Sequence, residues 1–275
     1  MSSHVVPGGA VAPEIHRRWE RWRERRDAEF AKPHGWLSLT ALHWLDEDPT
    51  AYDGLPGLWW ADEAGIHHDP TPDTATDRRP DAVLIDGEPV TNAGLVWDRT
   101  TDAPAVTLGE QHLELMERGG FLAIRVRDPH APALAAYTGV PFFDYDPEWR
   151  IIGRYRAYPQ AEEQVIGSAA ARVETSTRVV GEVDLDIDGT TQTLKITGGD
   201  GTWLVSFRDA TSGNESAGAC RWVWLSTEPT DELVVDFNFA ANPPCAFSDY
   251  GTCPLPPAGN TLTAAVRAGE RNPRG

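Results

Sequence analysis

Lysine is nearly missing from this chain of 275 residues: Lys32 and Lys195 are its only two, and 24 basic residues in all face 42 acidic ones, for a net charge of −18. The imbalance is steeper beyond the N-terminus. Residues 1–32 hold seven basic groups against five acidic ones, which leaves 17 against 37, a net of −20, on the rest. Such a surface repels phosphate backbones and anionic bilayers, so neither nucleic acid nor a membrane is expected as a partner. Long apolar runs are missing as well; with no stretch of 18 apolar residues, no membrane-spanning helix is expected. The opening MSSHVVPGGAVAPEIHRRW lacks the cationic segment and apolar core of a secretory leader, which points to a cytoplasmic protein.

Cysteine is scarce. Cys220, Cys245 and Cys253 are three in number, which is not a disulfide framework, and the gap between the last two is wider than the C-x2–4-C pairs of zinc sites. Reduced packing thiols and no metal are expected. The chain also lacks H-E-x-x-H, G-x-S-x-G, and any G-x-G-x-x-G that follows a strand and opens a helix. Zinc-peptidase chemistry, an α/β-hydrolase nucleophile and a Rossmann cofactor therefore have no sequence support, and no cofactor is expected.

What is present reads as one helix followed by strands. From Ala12 to Ala31, Ile15, Trp19, Trp22 and Phe30 recur on one face with Arg and Glu between them, and Pro33 follows the end. Beyond Pro80 the period changes to two. Asp86-Gly87, Gly119-Gly120 and Asp188-Gly189 each sit between alternating runs, the signature of tight hairpins. The second half adds ARVETSTRVV, VDLDIDG, TQTLKIT, TWLVSFRD, AGACRWVWL and ELVVDFN, about six strands with no helical pattern between them. The expected fold is mainly β, an antiparallel barrel or sandwich built from hairpins, with an N-terminal amphipathic helix. Residues 1–32 form the helix and arm, and 33–275 a single β-rich domain, or two β halves meeting near 165. The irregular stretch Pro129–Pro147, with Phe142, Phe143 and Tyr145, is a candidate cover or seam.

Strand parity gathers the polar candidates. In AGACRWVWL, Arg221 shares a face with Val223, opposite Trp222 and Trp224; in VVDFN, Asp236 and Asn238 share a face opposite Val235 and Phe237. If these consecutive strands pair, Arg221 reaches Asp236 or Asn238 and forms either a polar floor for chemistry or an ion pair that fixes register. Glu215, at the end of the RDATSGNES turn, is a candidate acid or base, set against a plain solvated carboxylate. WRIIGRYRAYP places Arg150, Ile152, Arg154 and Arg156 on one parity, either to answer surface carboxylates or to contact a ligand anion, with Trp149 beside them. After the Asp236 strand, Asn242-Pro243-Pro244 stops the ladder, and Cys245 opens a loop expected to be ordered against that strand, because five prolines from Pro243 to Pro257 reduce its unfolded freedom. That loop reads as a site wall or a rigid clamp. The nine tryptophans beyond the helix fill a core or line a cavity for a flat ligand.

The run VDFNFAANPPCAFSDYGTCPLPPAGN from Val235, with FRDATSGNESAGACRWVW and WRIIGRYRAYP before it, resembles a bacterial and archaeal family, domain of unknown function 1684. The resemblance extends from GWLSLTALHWL at Gly35 to AGER near the C-terminus, and it implies no reaction or ligand. This chain departs from the family pattern at Ser216-Ala217, where a tyrosine is usual, and at Ala258-Gly259-Asn260, where Pro-Glu-Asn is common. The residues themselves lead to a small-molecule-binding β protein, a non-redox acid/base enzyme using Asp236, Arg221 and Glu215. Its ligand contacts would come from Asn238, Asn242, Cys245, Arg150, Arg154 and Trp149. A carrier without chemistry is the alternative, and the family resemblance implies a second one, a forkhead-associated-like interaction module, although DEDPTAYDGLPGLWW lacks the Gly-Arg and Ser of a phosphothreonine site.

Overall fold

The structure, a computed structural model, describes residues 13–70, 82–171, 173–199 and 201–275. Ala12, Asp81 and Arg172, which belong to expected elements, lie outside the described residues. The architecture is mainly β, in antiparallel sheets that include a half-barrel, and the N-terminal helix is present. Helix α1 (Pro13–Phe30) opens on a proline, tolerated because first-turn amides have no intrahelical acceptor. Trp19 and Phe30 on its apolar stripe are buried, and Ile15 and Trp22 half-buried. No helix among the described residues is long and apolar enough to cross a membrane.

The chain divides into two compact units, Phe30–Tyr137 and a second that takes α1 to Glu29 together with Thr138–Gly275. The first contains β1 (Leu39–Trp44), β2 (Leu58–Ala61), β3 (Gly65–Asp69), β4 (Val83–Ile85), β5 (Glu88–Pro89), β6 (Gly94–Asp98), β7 (Val106–Leu108), β8 (Gln111–Arg118) and β9 (Phe121–Arg127). They form a six-stranded sheet, β1-β9-β8-β7-β4-β5, and a three-stranded one, β2-β3-β6. Two expected hairpins are here. Asp86-Gly87 (φ 50° and 88°) turns β4 into β5, and Gly119-Gly120 (φ 58° and 83°) turns β8 into β9, each in the left-handed region that two-residue loops require. Trp59, Ile66, Leu113 and Ile124 anchor the core of this unit.

The second unit contains β10 (Arg150–Gly167), β11 (Glu174–Ile187), β12 (Thr190–Gly199), β13 (Thr202–Phe207), β14 (Arg221–Leu225) and β15 (Glu232–Asp236), in the order β14-β13-β12-β11-β10-β15. The runs ARVETSTRVV and VDLDIDG, read as two strands, are one: the ladder continues through Gly181 with a register shift between Val179 and Gly181. Val183, Leu185, Leu194, Ile196, Val205 and Phe207 fill the core, as alternation dictates. On β10 the arginine parity faces out, and Arg156 bonds Glu182 (2.6 Å) and Asp184 on the neighbouring strand. For Arg156 the plainer reading, surface carboxylates answered, is what the fold contains.

Gly153 of β10 is fixed by packing. A Cβ there would fall 2.5 Å from Val183 Cγ2, 2.6 Å from Leu185 Cδ2 and 2.7 Å from the Asp184 carbonyl oxygen. Gly153→Ala is expected to cost about 1–3 kcal/mol through overpacking, whereas Gly94→Ala, with nothing within 4 Å, should leave stability unchanged. Denaturant midpoints of the two variants check this, and equal midpoints would contradict it.

The proline loop after β15 is tied at several points. Pro244–Ala246 forms a 3-10 turn, the Leu255 amide donates to the Gly167 carbonyl (2.9 Å), and the Ala169 amide donates to that of Cys253 (2.8 Å). These ladder-like bonds join the loop to the far end of β10, not to the strand carrying Asp236. Cys220, Cys245 and Cys253 form no disulfide among the described residues. The Cys245 amide donates to Cys253 Sγ (3.3 Å), and burial pushes the Cys220 thiol up to about 12.

Candidate functional site

Arg221 does not meet Asp236. The expectation that β14 and β15 pair fails because β15 takes β10 as its partner, placing Arg150 opposite Asp236, and β14 pairs with β13. Arg221 points inward, as parity requires, and is 1% exposed. Its Nη2 donates to Asp209 Oδ2 (2.8 Å) and to the Val266 carbonyl (2.8 Å), and its Nη1 donates to the Ala268 carbonyl (2.6 Å). Asp209 is itself fully used. Its Oδ1 accepts from the Thr211 hydroxyl (2.7 Å) and amide (3.1 Å), and its Oδ2 also accepts from the Val266 amide (2.8 Å). The turn RDATSGNES thus supplies a counter-ion for a buried guanidinium. Burial lowers the Arg221 pKa from its ordinary value, but an arginine stays charged, so the pair is ionic.

A second buried ion pair lies between α1 and the C-terminal segment. Arg26 Nε donates to Glu270 Oε1 (2.5 Å), and Glu270 Oε2 accepts from Arg26 Nη2 (3.0 Å) and the Asn242 amide (2.6 Å). Burial raises the Glu270 pKa, opposed by Arg26. Asn242 Nδ2 donates to the Arg271 carbonyl (2.7 Å), so this asparagine is a structural tie in the interior. Glu215 is elsewhere, in a bidentate pair with exposed Arg267 (2.8–3.1 Å) that lowers its pKa.

The place where the half-barrel stays open is different in kind. β14 and β15 are the two edges of the six-stranded sheet. Trp222 and Ala241 exchange two amide–carbonyl bonds of 2.8 Å across this seam. Beyond them a cleft of about 440 Å3 is lined by β14, β15, the turn between them, Arg150 and α1. Its aromatic lining is Trp22, Phe239 and Trp224, the last 57% exposed. Arg18 and Arg150 supply cations, and Asp236 the inner carboxyl.

Asp236 is held firmly on one side. Its Oδ1 accepts from the Asn238 amide (3.2 Å) and from Asn238 Nδ2 (2.9 Å), while Oδ2 lies 3.8 Å from Arg150 Nε, too far for a direct bond. Asn238, 0% exposed, also bonds both ways with the Asp146 backbone, and its carbonyl accepts from Trp19 Nε1 (3.0 Å). It therefore positions Asp236 and offers nothing to a ligand. Burial raises the Asp236 pKa, only partly opposed by Asn238, Arg150 and Arg18. Nearby Tyr145 is pushed up to about 12, by burial first and then by the charge of Asp236.

Of the sequence candidates, the cleft brings together Asp236 and Arg150. Arg154 is exposed on β10, in register with Glu232 and Asp184; Trp149 packs on the core, edge-on to Phe237 at 6.2 Å; Cys245 is in the proline loop. None of these three, nor Arg221, Glu215, Asn238 or Asn242, lines the cleft. Arg18 and Phe239 are not among the sequence candidates, Trp22 stands there only on the packing stripe of the helix, and Trp224 enters as a lining residue only among the nine tryptophans that fill a core or line a cavity. Trp224 left a trace in the alternation of AGACRWVWL, which sets it opposite the buried parity of Arg221 and Val223. Among the described residues no group of three or more His, Cys, Asp or Glu is placed to hold a metal ion.

A family model described as a protein of unknown function (DUF1684) matches residues 135–271. The solution NMR structure of an uncharacterized protein from Haloarcula marismortui is similar at 33% identity, covering 50% of this chain and 78% of that one, with a TM-score of 0.43. No curated protein matches.

Proposed function

The chain belongs to the DUF1684 family of proteins of unknown function, and from the geometry of its seam cleft we propose a small-molecule-binding β protein with Asp236 as the acid–base group. The observation that carries this reading is the state of Asp236: a desolvated carboxyl with a raised pKa, one oxygen fixed by Asn238 and the other without a direct bond, in a concave aromatic-walled site. A carboxyl largely withdrawn from water and held in one orientation is suited to give and take a proton. The cleft volume falls in the range of small-ligand sites. The other buried carboxylates, Asp209 and Glu270, are each bonded through both oxygens, which suits them to structure and leaves Asp236 as the acid–base group.

Trp22 and Trp224 provide the test. In a screen of small aromatic compounds against the intact protein, a ligand of this site should change tryptophan emission saturably, and the Trp22→Phe/Trp224→Phe variant should lose the response. A saturable response that survives in the double variant would place the ligand elsewhere.

A further inference from the structure

The cleft sets two guanidiniums, Arg18 and Arg150, beside its aromatic wall, and neither donates a direct hydrogen bond to a carboxylate among the described residues. We infer that its ligand is a small monocarboxylate with a flat apolar body, the carboxylate held by Arg18 and Arg150 and the body against Trp22, Trp224 and Phe239. This rests on the reading of the cleft as a small-molecule site and adds the chemical class of the ligand.

The charge inventory sets the argument. In a chain of 24 basic and 42 acidic residues, a guanidinium has every opportunity to find a carboxylate. Arg267 and Arg274, both exposed, do so at 2.8 and 2.6 Å. The two arginines of the cleft reach no carboxylate at hydrogen-bonding distance among the described residues. Arg18 lies over the Phe239 ring at 5.2 Å and makes no ion pair among the described residues. Arg150 comes no nearer to a carboxylate than the 3.8 Å to Asp236, whose other oxygen is taken by Asn238. Two planar donor forks beside an aromatic wall match a carboxylate on a ring, because each fork offers paired N–H groups and the rings cover the apolar body. Phosphate presents the same oxygens with more charge. Glu228 and Glu232, exposed on the cleft lining, and Asp236 on the inner side repel a dianion more than a monoanion, which favours carboxylate over phosphate; the attraction to either comes from the two guanidiniums alone.

Isothermal titration of the full chain with 2-naphthoate, 2-naphthamide and 2-naphthyl phosphate tests this. The carboxylate should bind at least roughly tenfold more tightly than the amide and the phosphate, the advantage that a charge-assisted pair confers. Arg18→Gln and Arg150→Gln should each remove most of that advantage. Arg18 stands exposed on α1, so its variant keeps the test usable even if the Arg150 variant, which takes a cation from beside Asp236, fails to fold. Amide binding as tight as the carboxylate, or a preference unchanged in both variants, would overturn the carboxylate inference while leaving the cleft as a binding site. Tighter binding of the phosphate would overturn the ligand class, and failure of all three to bind would overturn the inference and the site together.

Discussion

Asp209→Ala is expected to destabilise the protein by about 3–5 kcal/mol, because it leaves the Arg221 guanidinium charged, unpaired and out of water. The pair is sealed, with side chains 1% and 0% exposed, and Arg221 is further fixed by the carbonyls of Val266 and Ala268. For a domain of this size that loss corresponds to a fall of roughly 10–15 °C in Tm. Combining it with Arg221→Met should restore much of the loss, since an apolar side chain of similar length needs no counter-ion. Thermal unfolding of the single and double variants measures both effects. A single variant within about 1 kcal/mol of the parent, or a double variant less stable than the single, would show that the pair does not hold this part of the fold.

Asp236→Asn should do the opposite: remove function and spare the fold. Asparagine keeps an oxygen to accept from the Asn238 amide and Nδ2, so the local geometry survives. The sign of the stability change follows from the raised folded pKa. A carboxyl whose pKa is higher folded than unfolded favours the native state fully below its unfolded pKa, and that contribution is lost as pH rises through the folded value. At neutral pH the neutral amide should therefore match or exceed the parent in Tm, with the difference closing as pH falls through the folded pKa of Asp236. If Asp236 transfers the proton as proposed, its removal should lower turnover roughly 10²–10⁴-fold. A carrier would instead keep its ligand affinity largely unchanged in this variant. A clear drop in Tm with function per folded molecule unchanged would assign Asp236 to structure.

The sequence made the local features legible and the long-range ones not. Asp86-Gly87, Gly119-Gly120 and Asp188-Gly189 specify their hairpins because the left-handed backbone they need is a property of the dipeptide itself. The outward arginine face of β10 and the inward position of Arg221 follow equally from parity. Which strand stands beside β15 does not. Asp236 is 15 residues from Arg221 and Asp209 is 12, so separation along the chain does not choose between them. The curl of the half-barrel does, by giving β15 to β10 and leaving β14 at the other edge. The contribution of α1 is hidden for the same reason. Its stripe identified the packing residues Trp19 and Phe30, but that Arg18 and Trp22 border a cleft depends on where the helix docks. The family signature drew attention to Asp236 and also to Asn238 and Asn242, whose polar atoms are largely committed to holding the chain together.

The central claim, that Asp236 is a proton-transfer group and not a structural ion, is tested most directly by 13C NMR titration of the aspartate side-chain carboxyls, with Asp236 assigned by its absence from the Asp236→Asn spectrum. The account predicts a midpoint above the ordinary aspartate range, moving further up when an anionic ligand enters the cleft. A midpoint at or below the ordinary range, unmoved by such a ligand, would contradict it.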